Sequence, residues 1–186
     1  MNVTDRESDI QTIVNGCLRN DRLSQRKLYD RYASRMYVLC RRYANSNEEA
    51  EDMLMEGFMQ VFKSLESFHG ESAFSTWIHS VMVNTAISHY RSIRRFRNEL
   101  SSDEVGDDGL PGADETITTA LDARIVIDTL QRMPENYRVV FNLHALEGYS
   151  FAKIGEMLGK KEDSMRVVFL RARKWLQREL GDNDEQ

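Results

Sequence analysis

Residues 67–97 read SFHGESAFSTWIHSVMVNTAISHYRSIRRFR, a polar loop that feeds a long helix ending in arginines. At about 3.6 residues per turn, Phe74, Ile78, Val81, Met82 and Thr85 fall on one side as a core-facing stripe. Trp77, Asn84, Ser88, Arg91 and Arg95 fall together on another. An aromatic plane, an amide and a row of cations on one helix face match a single nucleic-acid strand, whose bases stack and whose phosphates attract positive charge. The preceding His69, Gly70, Glu71 and Ser72 are small and polar enough to admit a base. A second reading stands beside this one: Trp77 belongs to the core, and the arginines form a solvated helix end favoured by the helix dipole.

Working outward, the composition fits helices. Charged residues make up 30% of the 186, only two are proline, and 41% are hydrophobic, which is enough for one modest core or two small ones. No apolar run approaches the roughly 20 residues that span a bilayer, and the opening MNVTDRESD carries acids without an apolar signal core. A cytoplasmic protein with no membrane insertion is expected. Cys17 and Cys40 sit on apolar stripes (Ile10, Ile13, Val14, Cys17, Leu18 and Tyr32, Met36, Leu39, Cys40, Tyr43), so both are expected to be buried free thiols. His69, His79 and His89 lack an acidic or thiol partner at ligand spacing, and no metal site or cofactor is expected.

The net charge of −5 is unevenly placed. Residues 98–116, NELSSDEVGDDGLPGADET, contain seven acids, no base, three glycines and a proline, and read as a flexible acidic linker. The tail 181–186 is acidic as well. On either side of the linker, the block ending in Arg91, Arg94, Arg95 and Arg97 and the block 153–178 are locally basic, and local patches decide contact with phosphates.

In chain order, a helix carrying Ile10, Val14 and Leu18 breaks near Asn20 and Asp21, and a second starts near Ser24. Ser46 and Glu49 have the spacing of a capping box ahead of a third helix over 47–65, whose Ala50, Met53, Leu54, Gly57, Phe58, Val61, Phe62 and Leu65 form a broad apolar face. Its other face carries Glu51, Asp52, Met55, Glu56, Met59 and Gln60, either ordinary surface or a docking face. Past the linker, helices are expected over 117–133, stopped by Pro134, and over 135–146, capped by Gly148. Then Ser150 caps 151–158, Gly159 supplies a turn, and Ser164 caps a basic helix running to about Leu180.

Short helix, glycine turn, longer basic helix is the helix-turn-helix pattern. Gly155 is small where the helices cross, and Ile154, Leu158, Met165 and Val168 are apolar where such a pair packs inward. Met165, Val168, Phe169, Ala172 and Leu176 form the inner stripe of the last helix, leaving Asp163, Arg166, Val167 and Leu170 outward and Arg171, Arg173 and Lys174 on the flanks. Arg166 then meets a guanine edge in a major groove while Lys160, Lys161 and the flanking bases grip phosphates. The alternative is an αα-hairpin with a basic surface.

These stretches carry a resemblance. NEEAEDMLMEGFMQVFKSLESF, FSTWIHSVMVNTAISHYRSIRR and MPENYRVVFNLHALEGYSFAKIGEMLGKKEDSMRVVFLRARKWL occur in the order and separation of the extracytoplasmic-function group of bacterial sigma-70 factors, which the chain resembles. The resemblance implies an all-α fold of two small helical domains. Residues 1–97 would be sigma region 2, 98–116 the linker and 117–182 sigma region 4.

It also implies partners: core RNA polymerase through its β′ coiled coil and β flap, promoter DNA, and an anti-sigma factor. Glu51, Asp52, Met55, Glu56 and Met59 become the polymerase-binding residues. His69, Gly70, Glu71, Ser72, Phe74, Trp77, Asn84, Ser88, Arg91, Arg94 and Arg95 would melt and read the minus-ten element, with the loop 69–74 holding an extruded base. Lys160, Lys161, Ser164, Arg166, Val167, Leu170, Arg171, Arg173 and Lys174 would read the minus-thirty-five element as duplex.

Two departures from the family pattern stand out. Met55 replaces the usual glutamine, which makes that polymerase contact apolar or removes it. Ser164-Met165-Arg166-Val167-Val168 stands where relatives often show Thr-Val-Lys-Ser-Arg, exchanging hydrogen-bonding groups for valines, of which Val167 still suits a thymine methyl. No phosphate loop, nucleophile with orienting partners or metal cluster is present, so catalysis is left to the polymerase. Two other classes fit parts of the pattern. A stand-alone helix-turn-helix regulator would bind duplex without polymerase, and a structural helical adaptor would leave Trp77, Asn84 and the arginines without a role.

Overall fold

A computed structural model of the chain describes residues 3–100 and 123–181, and every regular element in them is helical. The elements are α1 (Val3–Leu18), α2 (Arg22–Tyr43), α3 (Asn47–Ser64), a 3₁₀ turn (Leu65–Ser67) and α4 (Phe74–Leu100). After the gap come α5 (Ala123–Arg132), α6 (Glu135–Phe141), a π-helical turn (Asn142–Leu146), α7 (Phe151–Leu158) and α8 (Glu162–Gly181). Residues 101–122, which hold most of the acidic linker and the start of the helix expected over 117–133, lie outside the described residues. Residues 98–100, expected to open the linker, instead continue α4 to Leu100. Packing divides the chain into two units, the division falling within α4 after Ala86.

In the first unit, α1 packs on α2 and α2 on α3. Ile13, Val14 and Cys17 are buried, but Leu18, expected on the same stripe, is 42% exposed. The reason is the break that follows. Asn20 adopts the left-handed conformation at φ 59°, and the Asn20 and Asp21 N–H groups turn back to the carbonyls of Cys17 and Gly16, so α1 ends at Leu18, beside the turn and at the margin of the core. Helix α2 starts two residues ahead of Ser24 because Asp21 caps it, accepting from the Leu23 and Ser24 N–H groups at 3.3 and 3.0 Å and from the Ser24 hydroxyl at 2.6 Å. Those bonds from Ser24 hold the Asp21 carboxyl below its usual range.

Cys17 and Cys40 are buried and free. Burial pushes the Cys40 thiol up to about 12. Helix α3 is capped by Ser46, which accepts from the Glu49 N–H at 3.2 Å. Glu49 reaches back one residue further than a capping box requires, taking the Asn45 backbone N–H at 2.6 Å. On α3, Ala50, Met53, Leu54, Phe58 and Val61 are buried, and Gly57 faces Met82 of α4 so closely that a Cβ would collide with its sulfur. Each fully buried Leu, Met or Phe here stabilises the unit by about 1.5–3 kcal/mol.

In the second unit, Leu130, Met133, Ala172 and Leu176 form a core with Val126, Tyr137, Phe141, Trp175 and Leu180 packed around it. Arg138 is fully buried. Its Nη1 donates to the carbonyls of Leu130, Gln131 and Met133 at 3.3, 3.0 and 3.3 Å, so a cation satisfies the carbonyl end of α5. The helix expected over 135–146 changes pitch at Asn142, where the Glu147 and Tyr149 N–H groups reach the carbonyls of Asn142 and Leu143, and Gly148 follows at φ 75°.

Candidate nucleic-acid interface

Helix α4 buries Phe74, Ile78, Met82 and Thr85, with Val81 partly covered. Thr85 joins this stripe because its hydroxyl donates to the Val81 carbonyl at 3.0 Å. The opposite face presents Asn84, Ser88, Arg91 and Arg95 as exposed side chains. Arg94 is not among them, being partly buried, with its Nη1 donating to the Tyr90 hydroxyl at 2.8 Å.

Trp77 falls between its two sequence readings. It is half-buried, with its ring 5.5 Å from Phe68 and 5.4 Å from Phe74, so it backs an aromatic cluster and does not stand as a free platform. Phe68 meets Phe74 edge-on at 5.1 Å, and Tyr32 reaches Phe74 at 5.4 Å. In front of this wall, His69, Gly70, Glu71 and Ser72 are exposed, with Gly70 at φ 76°, a backbone conformation that favours glycine. Gly70 and Ser72 of the loop line a cleft of about 680 Å³ with Phe68, Phe74 and residues of α1 and α2 that include Arg31, Tyr32 and Arg35, whereas His69, Glu71 and Trp77 are not among its lining residues. Sequence reading missed those two arginines. Their signal was available as a basic pair four residues apart on one face of α2.

Helix α3 turns Glu51, Asp52, Met55 and Met59 outward with Glu56 partly covered, and Met55 and Met59 are 57% and 63% exposed. Two large apolar side chains standing among acids form a surface suited to a basic, apolar partner helix.

Helices α7 and α8 meet as expected, with one change at the turn. Ser150 caps α7 by accepting from the Lys153 N–H at 3.2 Å, and Gly159 closes it at φ 65°. A Cβ on Gly155 would come 2.7 Å from the Lys160 carbonyl, so the turn itself demands the glycine. Because the turn is this tight, α8 starts at Glu162 and Ser164 lies in its first turn instead of capping it. Met165, Ala172 and Leu176 are buried, while Val168 and Phe169 are partly covered.

On the outer side of α8, Asp163, Ser164, Arg166 and Lys174 are exposed, as are Lys160 and Lys161 in the turn. Val167, Leu170, Arg171 and Arg173 are partly covered. Arg166 is already engaged. Its Nη2 lies 3.2 Å from the Glu162 carboxylate, and its guanidinium sits 5.1 Å over the Phe151 ring. Phe151 in turn stacks on His144 at 4.0 Å, and the Nδ1 of that histidine lies 2.8 Å from the Tyr149 carbonyl.

A helix-turn-helix, and a long helix that begins at an open cleft and carries arginines further on, are the features of a DNA-binding transcription factor. Residues 28–96 match the Sigma-70 region 2 family and residues 123–176 the Sigma-70 region 4 family. An ECF RNA polymerase sigma-E factor of Haemophilus influenzae is 32% identical over 181 aligned residues, covering 91% of this chain and 94% of that protein. The ECF RNA polymerase sigma factor SigW of Bacillus subtilis is 27% identical, with 83% and 88% covered. The sigma factor RpoE of Bartonella quintana, solved in complex with the anti-sigma factor NepR, shares the fold at a TM-score of 0.51 and 19% identity, covering 84% of this chain and 96% of that one. The chain belongs to the extracytoplasmic-function group of the sigma-70 family, and is an alternative sigma factor that acts in transcription initiation.

Among the described residues, no helix is long and apolar enough to cross a membrane.

Proposed function

We propose that residues 1–97 dock on core polymerase and open the minus-ten element, that 98–116 tether, and that 117–182 read the minus-thirty-five element. The α3 face of Glu51, Asp52, Met55, Glu56 and Met59 meets the β′ coiled coil, with Met55 and Met59 supplying an apolar contact between acids. The loop 69–74 receives an extruded base in front of the aromatic wall that Trp77 braces. Extrusion costs a few kcal/mol, which stacking offsets. Asn84 and Ser88 face the strand, Arg91 and Arg95 hold phosphates, and Arg94 steadies the helix end through Tyr90. On duplex, Arg166 reads a base edge while Lys160, Lys161, Ser164, Arg171, Arg173 and Lys174 position the helix on the backbone, and Val167 and Leu170 make apolar contacts. The chain works in the cytoplasm, contributes no catalysis, and is held by an anti-sigma partner of the class seen with the solved relative.

One observation carries this reading: the exposed row Asn84, Ser88, Arg91 and Arg95 on a helix whose first turn walls the cleft. Run-off transcription with purified core polymerase and genomic fragments tests it. Discrete starts with wild type, lost in Asn84→Ala and redistributed among promoters in Arg166→Ala, are the expected result. Specific duplex binding by the chain alone, with no gain from core enzyme, would make it a stand-alone regulator.

A further inference from the structure

The cleft beside the loop 69–74 has a second wall to which no role has yet been given. Its volume of about 680 Å³ lies within the roughly 300–1,000 Å³ of ligand pockets. Its lining holds the partly exposed Phe68 ring, with Phe74 and Tyr32 buried behind it, and Arg31 and Arg35 one turn apart on α2, with no acid among the lining residues. An aromatic ring and two guanidinium groups lining one cleft suit a nucleoside phosphate, with the base against Phe68 and the phosphate on the arginines.

The two cations differ. Arg31 is paired with Asp9 of α1 and so has part of its charge spent, whereas Arg35 is exposed at the cleft. The Arg31–Asp9 pair is exposed and contributes little to stability.

We propose that the strand-binding site crosses the cleft to α2, where Arg35, assisted by Arg31, clamps the backbone phosphate of the nucleotide whose base the loop receives. Asp9 competes with that phosphate for Arg31. The inference rests on the reading of the loop 69–74 as the base-receiving element and adds the phosphate contact that fixes the nucleotide in register. A nucleotide within an opened strand is the occupant, because the helix that begins at the cleft with Phe74 and Ser75 goes on to present Asn84.

The test uses holoenzyme assembled from core polymerase and the full chain, on a promoter mapped by run-off and pre-melted over the minus-ten region. Single phosphates of the displaced strand are replaced in turn by neutral methylphosphonates. Arg35→Ala is expected to weaken binding about tenfold and to lower the salt slope by about 0.7. It is also expected to be indifferent to the one methylphosphonate that costs wild type most. Asp9→Asn is expected to tighten binding and steepen the slope, a gain that no folding defect can imitate.

If Arg35→Ala keeps the wild-type slope and phosphate sensitivity while Asn84→Ala still loses promoter opening, the clamp is wrong and the wider reading stands. If Asn84→Ala and Ser72→Trp in the loop also open promoters normally, the base-receiving reading falls with it. Displacement of the strand by a free deoxynucleoside monophosphate, dependent on Arg35, would overturn the strand as occupant and make the cleft a mononucleotide site.

Discussion

The face of α4 and the face of α8, the two surfaces proposed to meet DNA, are both basic, yet they hold their cations differently. Along α4, Asn84, Ser88, Arg91 and Arg95 stand exposed. On α8, Arg166 is held by the Glu162 carboxylate and the Phe151 ring. An exposed cation contributes its phosphate contact less the entropy of ordering it. A held one contributes only the difference between its DNA contact and the contacts it releases, but arrives already oriented. The α4 face is therefore read as the source of salt-dependent grip, and the α8 face as the source of discrimination.

The comparison requires that the helix-turn-helix be rigidly mounted, and the largest expected effect tests that mounting. Replacing Arg138 with Ala leaves three carbonyls of the α5 end without their donor and opens a cavity in the second unit. The loss expected is about 3 kcal/mol or more, measured by denaturant unfolding. A loss under about 1 kcal/mol, within the range of ordinary surface changes, would show that water replaces the guanidinium and that the mounting is softer than described. Next in size is Gly155→Val, whose side chain meets the Lys160 carbonyl. It is expected to cost about 1–3 kcal/mol and to abolish minus-thirty-five footprinting while binding to a pre-melted minus-ten template survives.

The third prediction sets the two faces against each other directly. Arg91→Ala with Arg95→Ala removes two exposed cations and is expected to reduce the salt slope of strand binding by about 1.4, or 0.7 for each phosphate, with little change in which promoters are used. Arg166→Ala is expected to change promoter choice, at about 1–3 kcal/mol for the base it reads, with a smaller change in slope. Equal slope changes from the two sets would erase the distinction.

How much of this was legible depends on whether a feature lives in sequence spacing or in space. The stripes of α3 and α4 and the bounds of α7 were readable because one period and one cap fix them, as Ser150 and Gly159 do for α7. The start of α8 was not: Ser164 is a cap by residue type, but the helix opens at Glu162, just past the tight Gly155 turn. The change of pitch at Asn142 has no local signature in NLHAL and follows from how α6 and α7 pack on α8. Of the site, the exposed row on α4 was legible from periodicity. Trp77 was not, since its contacts with Phe68 and Phe74 depend on how the loop folds back. The cleft brings together α1, α2 and α4, and no single-helix pattern could place Arg31 and Arg35 in one cleft with Phe68.

The smallest expected effect is the most discriminating. Glu162→Gln removes the charge that holds Arg166 and leaves the Phe151 ring as its remaining partner. Glu162 also opens α8, where an acid interacts favourably with the helix dipole, so the substitution costs about 0.3–1 kcal/mol of stability. Exposed ion pairs of this kind are worth less than about 1 kcal/mol. Releasing Arg166 is thus expected to raise affinity for non-promoter duplex by about two- to threefold and to narrow the gap between promoter and non-promoter DNA. A held, pre-oriented arginine makes that prediction because freeing it gains phosphate contact everywhere and orientation nowhere. If Glu162→Gln instead raises affinity for promoter and non-promoter DNA by the same factor, Glu162 acts only as a like-charge barrier to phosphate, and Arg166 is no more oriented on α8 than Arg91 and Arg95 are on α4.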